Sequence, residues 1–276
     1  MDWLVYVLPQ QCLIRLCEQA KARNGMIGGL EDGNQVIQIS KKVVVKCGYG
    51  VTPGEAATQK YACQRLSRHV VRVPQVYRYF QDHSDPTWPL GFLFMEHIPG
   101  LTLADLNLSG ADDICERLAN IVSELRAVTG SGTPGPIDGG MFQGYLWGDN
   151  GTREILRSAE DMNRWLNKRL QLINKTIDLR PYPLVFCHLD LCRRNIKLME
   201  DSSAAAAQCV NDDATYRKSL LQAIAKITRT TDTETECVDL LLRARAASLR
   251  YIFEPLEGTG MPADINSWPP PPPLNS

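Results

Sequence analysis

The segment from Leu184 to Leu198, Leu-Val-Phe-Cys-His-Leu-Asp-Leu-Cys-Arg-Arg-Asn-Ile-Lys-Leu, constrains this chain more than any other. Its apolar start, Leu184 to Cys187, reads as a buried strand. His188, Asp190 and Asn195 follow, and then a second apolar pair, Ile196 and Leu198. The expected local structure is strand, polar loop, strand. A carboxylate and an amide five residues apart, on a loop clamped by two buried segments, suit phosphoryl transfer. Asp190 could accept the proton of an attacking hydroxyl, Asn195 could hold a magnesium ion on nucleotide phosphates, and His188 would brace the loop through hydrogen bonds. The alternative is an Asp and an Asn making turn hydrogen bonds between two strands.

The order His-x-Asp-x-x-x-x-Asn is the catalytic-loop signature of the kinase-like fold. The version here, His188-Leu-Asp190-Leu-Cys-Arg-Arg-Asn195, resembles the aminoglycoside phosphotransferase family, especially its fungal-type members. The resemblance runs along nearly the whole chain to about Phe253. It implies an α+β, two-lobed protein-kinase-like fold, with a small antiparallel-sheet N-terminal lobe over residues 1–98 and a mainly helical C-terminal catalytic lobe over 99–254. It also implies ATP and Mg2+ as cofactors and the hydroxyl of a small molecule as acceptor.

At 276 residues, 44% hydrophobic and 22% charged, the chain can fill one large domain or two small lobes. A net charge of −1 gives no basic field for nucleic acid or an anionic membrane. No apolar run approaches the ~20 residues that span a bilayer. The stretch from Met1 to Pro9 is apolar but short, without a basic start or a small-residue cleavage site, so a signal peptide is not expected. Nine cysteines lie scattered with no Cys-x-x-Cys pair, which argues against zinc and for reduced thiols in the cytoplasm. Cys187 and Cys192 read as small buried hydrophobes.

Taken in order, Pro9 to Arg23 has helical spacing of Leu13, Leu16, Cys17 and Ala20. The β-branched runs Asn34 to Ile39 and Lys42 to Cys47 predict a hairpin. Lys46 closes its second strand, where the resemblance implies a lysine on the α- and β-phosphates; an exposed strand-end lysine is the alternative. Pro53 to Arg68 reads as a helix with Thr52 as N-cap and Glu55 at the capping-box position. The resemblance makes Glu55 the partner of Lys46, against a plain capping carboxylate. A glycine-rich flap over ATP would lie between the first two strands, yet Gly28, Gly29 and Gly33 precede the first strand legible here.

Pro74 to Phe80 and Leu90 to Ile98 read as strands. In the family the second leads into the linker between lobes, so the backbone of Glu96 to Ile98 would hydrogen-bond adenine and Met95 would back the pocket. A central strand without a ligand fits the same residues. Ala111 to Val128, Ser158 to Asn174, Tyr216 to Ile227 and Glu234 to Ile252 are amphipathic helices. Residues 129–150 are glycine-rich and irregular, and their aromatics, Tyr145 and Trp147, are expected to pack on the lobe.

The family pattern breaks after Asn195. A second metal carboxylate, in an Asp-Phe-Gly-like turn about a dozen residues on, is expected and absent. Asp212 is the candidate replacement, with helix capping by Asp212 and Asp213 as the alternative. Without a second carboxylate, Asn195 would hold magnesium poorly. The readings that remain are a phosphotransferase impaired by this loss, an inactive nucleotide- or partner-binding relative, and a truncated product of a mispredicted gene. Residues 255–276 form a Pro-rich tail, expected to be disordered and ending near Pro269 to Pro273, a ligand type for SH3- or WW-type domains or an idle end.

Overall fold

The computed structural model describes residues 2–106, 112–130, 132–148, 151–198, 213–228 and 231–250. The chain divides into two compact units, Met1–Leu108 with Arg193–Asn211, and Ser109–Cys192 with Asp212–Ser276. Among the described residues no helix is long and apolar enough to cross a membrane.

The first unit opens with α1 (Asp2–Val7) and α2 (Gln10–Ala22). The strands β1 (Met26–Gly29), β2 (Gln35–Gln38) and β3 (Val43–Gly48) follow, then α3 (Pro53–Arg65), β4 (Val76–Asp82) and β5 (Leu90–Glu96). The strands form one antiparallel sheet in the order β1-β2-β3-β5-β4. The valine run puts β3 at its centre, because three adjacent β-branched residues suit a strand covered on both faces. Alternation then sorts the side chains. Val43, Val45, Cys47, Ile37, Phe80, Phe92 and Phe94 meet Leu13 and Cys17 of α2 and Val5 of α1. Phe80 stacks on Phe92 at 5.2 Å. Arg78 ties α1 down by donating to the carbonyls of Val5 and Leu8 at 3.1 and 2.7 Å. On the opposite face Leu93 packs with Val51 and with Ala56 of α3.

Two expectations change here. Gly28 and Gly29 do not precede the first strand: they belong to β1, which pairs with β2. The turn from Leu30 to Asn34, with Gly33, therefore lies between the first two strands after all, where a flap belongs. Asn34 fastens that turn to the end of β3, its side-chain oxygen accepting from the Gly50 N–H at 3.1 Å. Gly48 must be glycine there, since a Cβ would come within 2.1 Å of the same oxygen. The second change concerns Leu184 to Cys187. No strand forms; one antiparallel bridge joins Val185 to Thr129, and Leu184, Val185 and Phe186 are only half buried. An apolar run without a neighbouring strand to complete its hydrogen bonds stays an extended segment.

The second unit is helical: α4 (Asp112–Ala127), α5 (Ala159–Leu170), α6 (Asp213–Thr228) and α7 (Asp232–Arg250). Cys115 and Ala119 of α4 pack on Ala223 of α6. A larger core joins Trp165, Leu166 and Leu170 of α5 to Leu240 and Ala244 of α7, with Phe142 and Trp147 from the glycine-rich segment. That segment is irregular as expected, and Trp147 is core rather than a ligand contact. Trp165 donates to the Thr152 carbonyl at 3.1 Å, and the Arg169 guanidinium lies 3.1 Å over its ring.

Candidate functional site

Lys46 stands on β3 opposite Leu93 of β5, and Met95 stands opposite Val44. Paired residues in a sheet share a face, so Lys46, Leu93 and Met95 all look towards α3. The helix begins where the sequence says it should. Thr52 is the N-cap, its hydroxyl accepting the Glu55 N–H at 3.2 Å, and Pro53 fills the first helical position. Glu55 completes only half of a capping box, because its carboxylate is turned to Lys46 instead. Lys46 Nζ to Glu55 Oε1 is 2.5 Å, with 29% and 31% of the two side chains exposed. A partly exposed pair of this kind stabilises a fold by about 0–1 kcal/mol. Its effect is to fix the direction of the ammonium group rather than to hold the unit together.

One turn further along α3, Gln59 reaches the same face. Its side-chain N–H donates to the Pro74 carbonyl at 3.0 Å, and its nitrogen is 3.2 Å from the Met95 sulfur. Met95 is thus fixed at the end of β5, between the helix and the strand.

Past Met95 the backbone is largely committed. The Glu96 N–H donates to the Gln75 carbonyl at 2.8 Å and the His97 N–H to the Lys42 carbonyl at 2.9 Å. The Glu96 side chain pairs with Arg72. Of the three residues expected at the adenine edge, the N–H groups of Glu96 and His97 therefore serve the sheet. The Ile98 carbonyl accepts from Lys197 Nζ at 3.2 Å. Lys197 belongs to β7 (Lys197–Leu198), which pairs antiparallel with β6 (Leu101–Thr102).

The loop of the central motif is held by a residue that the sequence did not mark. Arg193 is buried, and its guanidinium donates to the carbonyls of Leu103, at 3.0 and 2.8 Å, and Leu106, at 2.8 Å. The Leu103 N–H donates to the Ile196 carbonyl at 2.9 Å. Asn195 ends the short 3-10 turn Arg193–Asn195 and is anchored on both sides by these contacts. A buried cation with three bonds to carbonyls is a rigid post. The readable signal was the arginine pair in the motif loop, but nothing in the sequence tells Arg193 from Arg194.

His188 and Asp190 lie in the second unit, while Asn195 lies in the first with Lys46, Glu55, Met95, Glu96 and Ile98. Asp190 is exposed, and its N–H donates to His188 Nδ1 at 3.3 Å. Leu189 between them has φ +63°, a left-handed conformation that side chains other than glycine enter at a cost. The bracing expected of His188 is thus a backbone turn closed by its ring. The Phe186 N–H donates to the Val128 carbonyl at 2.9 Å and the Gly130 N–H to the Leu184 carbonyl at 3.0 Å, which tether the loop's approach to the end of α4.

Among the described residues no three His, Cys, Asp or Glu side chains come together to hold an ion. Asp212, the candidate second ligand, lies outside the described residues, as does the segment that stands in place of the missing turn.

A family model described as the phosphotransferase enzyme family matches residues 34–203, well over half the chain. No curated protein matches the sequence. Among solved structures, the chain is similar to the apo form of a thermostable mutant of aminoglycoside phosphotransferase APH(4)-Ia, at 12% identity and a TM-score of 0.47, over 81% of this chain and 84% of that one. It is also similar to the GDP complex of a mutant aminoglycoside 2'-phosphotransferase-IIIa, at 11% identity and a TM-score of 0.41, over 86% of this chain and 98% of that one.

Proposed function

The chain belongs to the phosphotransferase enzyme family, and on that premise we propose that it binds ATP beside Lys46 and directs the γ-phosphate to the hydroxyl of a small molecule. The observation that carries this reading is the 2.5 Å pair between Lys46 and Glu55. A lysine held at one point on a sheet face, with its partner on a capped helix, is the arrangement that a phosphate-binding cation needs. Met95 backs the base, and the Glu96 carbonyl and the Ile98 N–H face it. Asp190 acts as general base on the acceptor hydroxyl, with the His188 ring holding its backbone turn. The site of action is the cytoplasm.

Turnover is weak. The sequence after Asn195 lacks the Asp-x-Gly turn that would carry the second metal carboxylate, and a donor whose charge is left without its usual counter-ion transfers slowly. The same observation favours a second reading, a relative that binds nucleotide without transferring its phosphate.

Thermal shift and turnover separate these. ATP is expected to raise the unfolding midpoint of the wild-type chain, and Lys46→Ala is expected to shrink the increment to a measurable remainder. A wild-type chain with no ATP-dependent shift overturns the nucleotide reading. Against a panel of hydroxylated small molecules, slow phosphate transfer is expected. Asp190→Asn should cut it by about 10²–10⁴-fold while sparing the ATP shift. Transfer that survives Asp190→Asn unchanged removes Asp190 as base. Brisk magnesium-dependent turnover by the wild type would show that the metal set is complete.

A further inference from the structure

We propose that Gln59 is a positioning residue that locks α3 onto the sheet and thereby holds Lys46 aimed at nucleotide phosphates. The inference rests on the nucleotide reading above and extends it to a residue outside the motif.

The helix itself is poorly glued. Its buried residues are Gly54, Ala56 and Ala62, which bring little apolar surface to the sheet. Polar contacts therefore decide where it sits. At the lead-in, the Tyr79 hydroxyl donates to the Val51 carbonyl at 3.2 Å. In the first turn Glu55 meets Lys46, a pair too exposed to hold a helix on its own. In the second turn Gln59 is the attachment, with its Nε2 3.0 Å from the Pro74 oxygen and 3.2 Å from the Met95 sulfur.

Gln59 follows Glu55 by one helical turn, so the two side chains leave the same face of α3. They grip different strands: Glu55 takes β3 through Lys46, while Gln59 takes β5 through Met95 and the entry to β4 through Pro74. Release of Gln59 frees the second turn of α3 from β5 and from the entry to β4, while Ala56 and the Lys46–Glu55 pair still hold the first turn. Glu55 is then less firmly placed against Lys46, and the ammonium loses its fixed direction. Bulk does not substitute for this contact, because it is an N–H donor that the Pro74 carbonyl requires. Gln59→Leu fills similar space without a donor, and Gln59→Glu keeps the shape but presents an acceptor to an acceptor.

The test uses the full chain and two readouts. Hydrogen exchange of the α3 amides, measured without nucleotide, reports whether the helix is loosened. ATP affinity by calorimetry reports whether Lys46 is disarmed. Both Gln59→Leu and Gln59→Glu are expected to stay folded, to speed α3 exchange several-fold and to weaken ATP binding by about 5–10-fold. In a Lys46→Ala background, Gln59→Leu should add no further loss of affinity, which a merely structural role would not predict. Unchanged α3 exchange or unchanged ATP affinity in both variants, with the wild type binding normally, overturns the proposal alone. A wild type that binds no ATP overturns the nucleotide reading and this proposal together.

Discussion

Leu189 shows how much one residue can disclose. Its left-handed backbone, φ +63°, lets the Asp190 N–H turn back to His188 Nδ1. A leucine there carries about 1 kcal/mol of strain. Leu189→Gly should be tolerated, since the relieved strain offsets glycine's greater freedom in the unfolded chain. Leu189→Val should lower the unfolding midpoint clearly, because branching at Cβ resists this conformation. Equal midpoints for the two variants would contradict the account. A second comparison concerns two tryptophans. Trp165 donates to Thr152, whereas Trp147, 4% exposed, has a buried Nε1 with no partner among the described residues. Trp165→Phe strands a carbonyl acceptor, while Trp147→Phe removes an unpaired donor. Denaturant titration should find the first costlier by about 1 kcal/mol. The motif from His188 to Asn195 could be read from its spacing alone. The burial of Arg193 could not, because burial depends on carbonyls some ninety residues earlier in the chain, at Leu103 and Leu106.

Helix α7 carries a pH-sensitive start. Thr231 and Glu234 form a reciprocal capping box: the Glu234 N–H donates to the Thr231 hydroxyl at 3.2 Å, and the Glu234 carboxylate accepts the Thr231 N–H at 2.9 Å. The same carboxylate takes Arg126 of α4 at 3.1 Å. The Thr231 N–H first, and then Arg126, hold its pKa below the ordinary 4.5. A carboxyl depressed in the folded state stabilises fully above pH 4.5, and that contribution fades as pH falls through the lower folded value. Glu234→Gln should therefore lower the midpoint at neutral pH and flatten this part of the acid limb, as read by midpoints between about pH 6 and 3. The Thr-x-x-Glu pattern was there to be read. Helices α2 to α5 and the β2–β3 hairpin were also legible, since each states its own period or cap. The strand β1 was not: Met-Ile-Gly-Gly has little strand propensity and is recruited by pairing with β2. Leu184 to Cys187 failed in the opposite sense, with strand composition but no strand beside it beyond a bridge at Thr129.

Across the molecule, none of the eight described cysteines is in a disulfide, and their settings differ widely. Burial pushes Cys17 up to about 12 and raises Cys47 as well, whereas Cys12 is exposed on the same helix as Cys17. A maleimide at neutral pH should label Cys12 quickly and leave Cys17, Cys47 and Cys115 unlabelled until the chain unfolds, as peptide mapping would show. Early labelling of Cys17 or Cys47 would mean that the core between α2 and the sheet opens. The path of the chain matters at this scale too. The sheet from β1 to β5 is complete by Glu96, but β6 waits for β7 at Lys197–Leu198, and Leu103 and Leu106 wait for Arg193. On the ribosome, the nascent chain therefore carries a finished sheet and an open seam from Leu101 to Leu106 for about ninety codons, until the arrival of Arg193 and Lys197–Leu198 sews it shut.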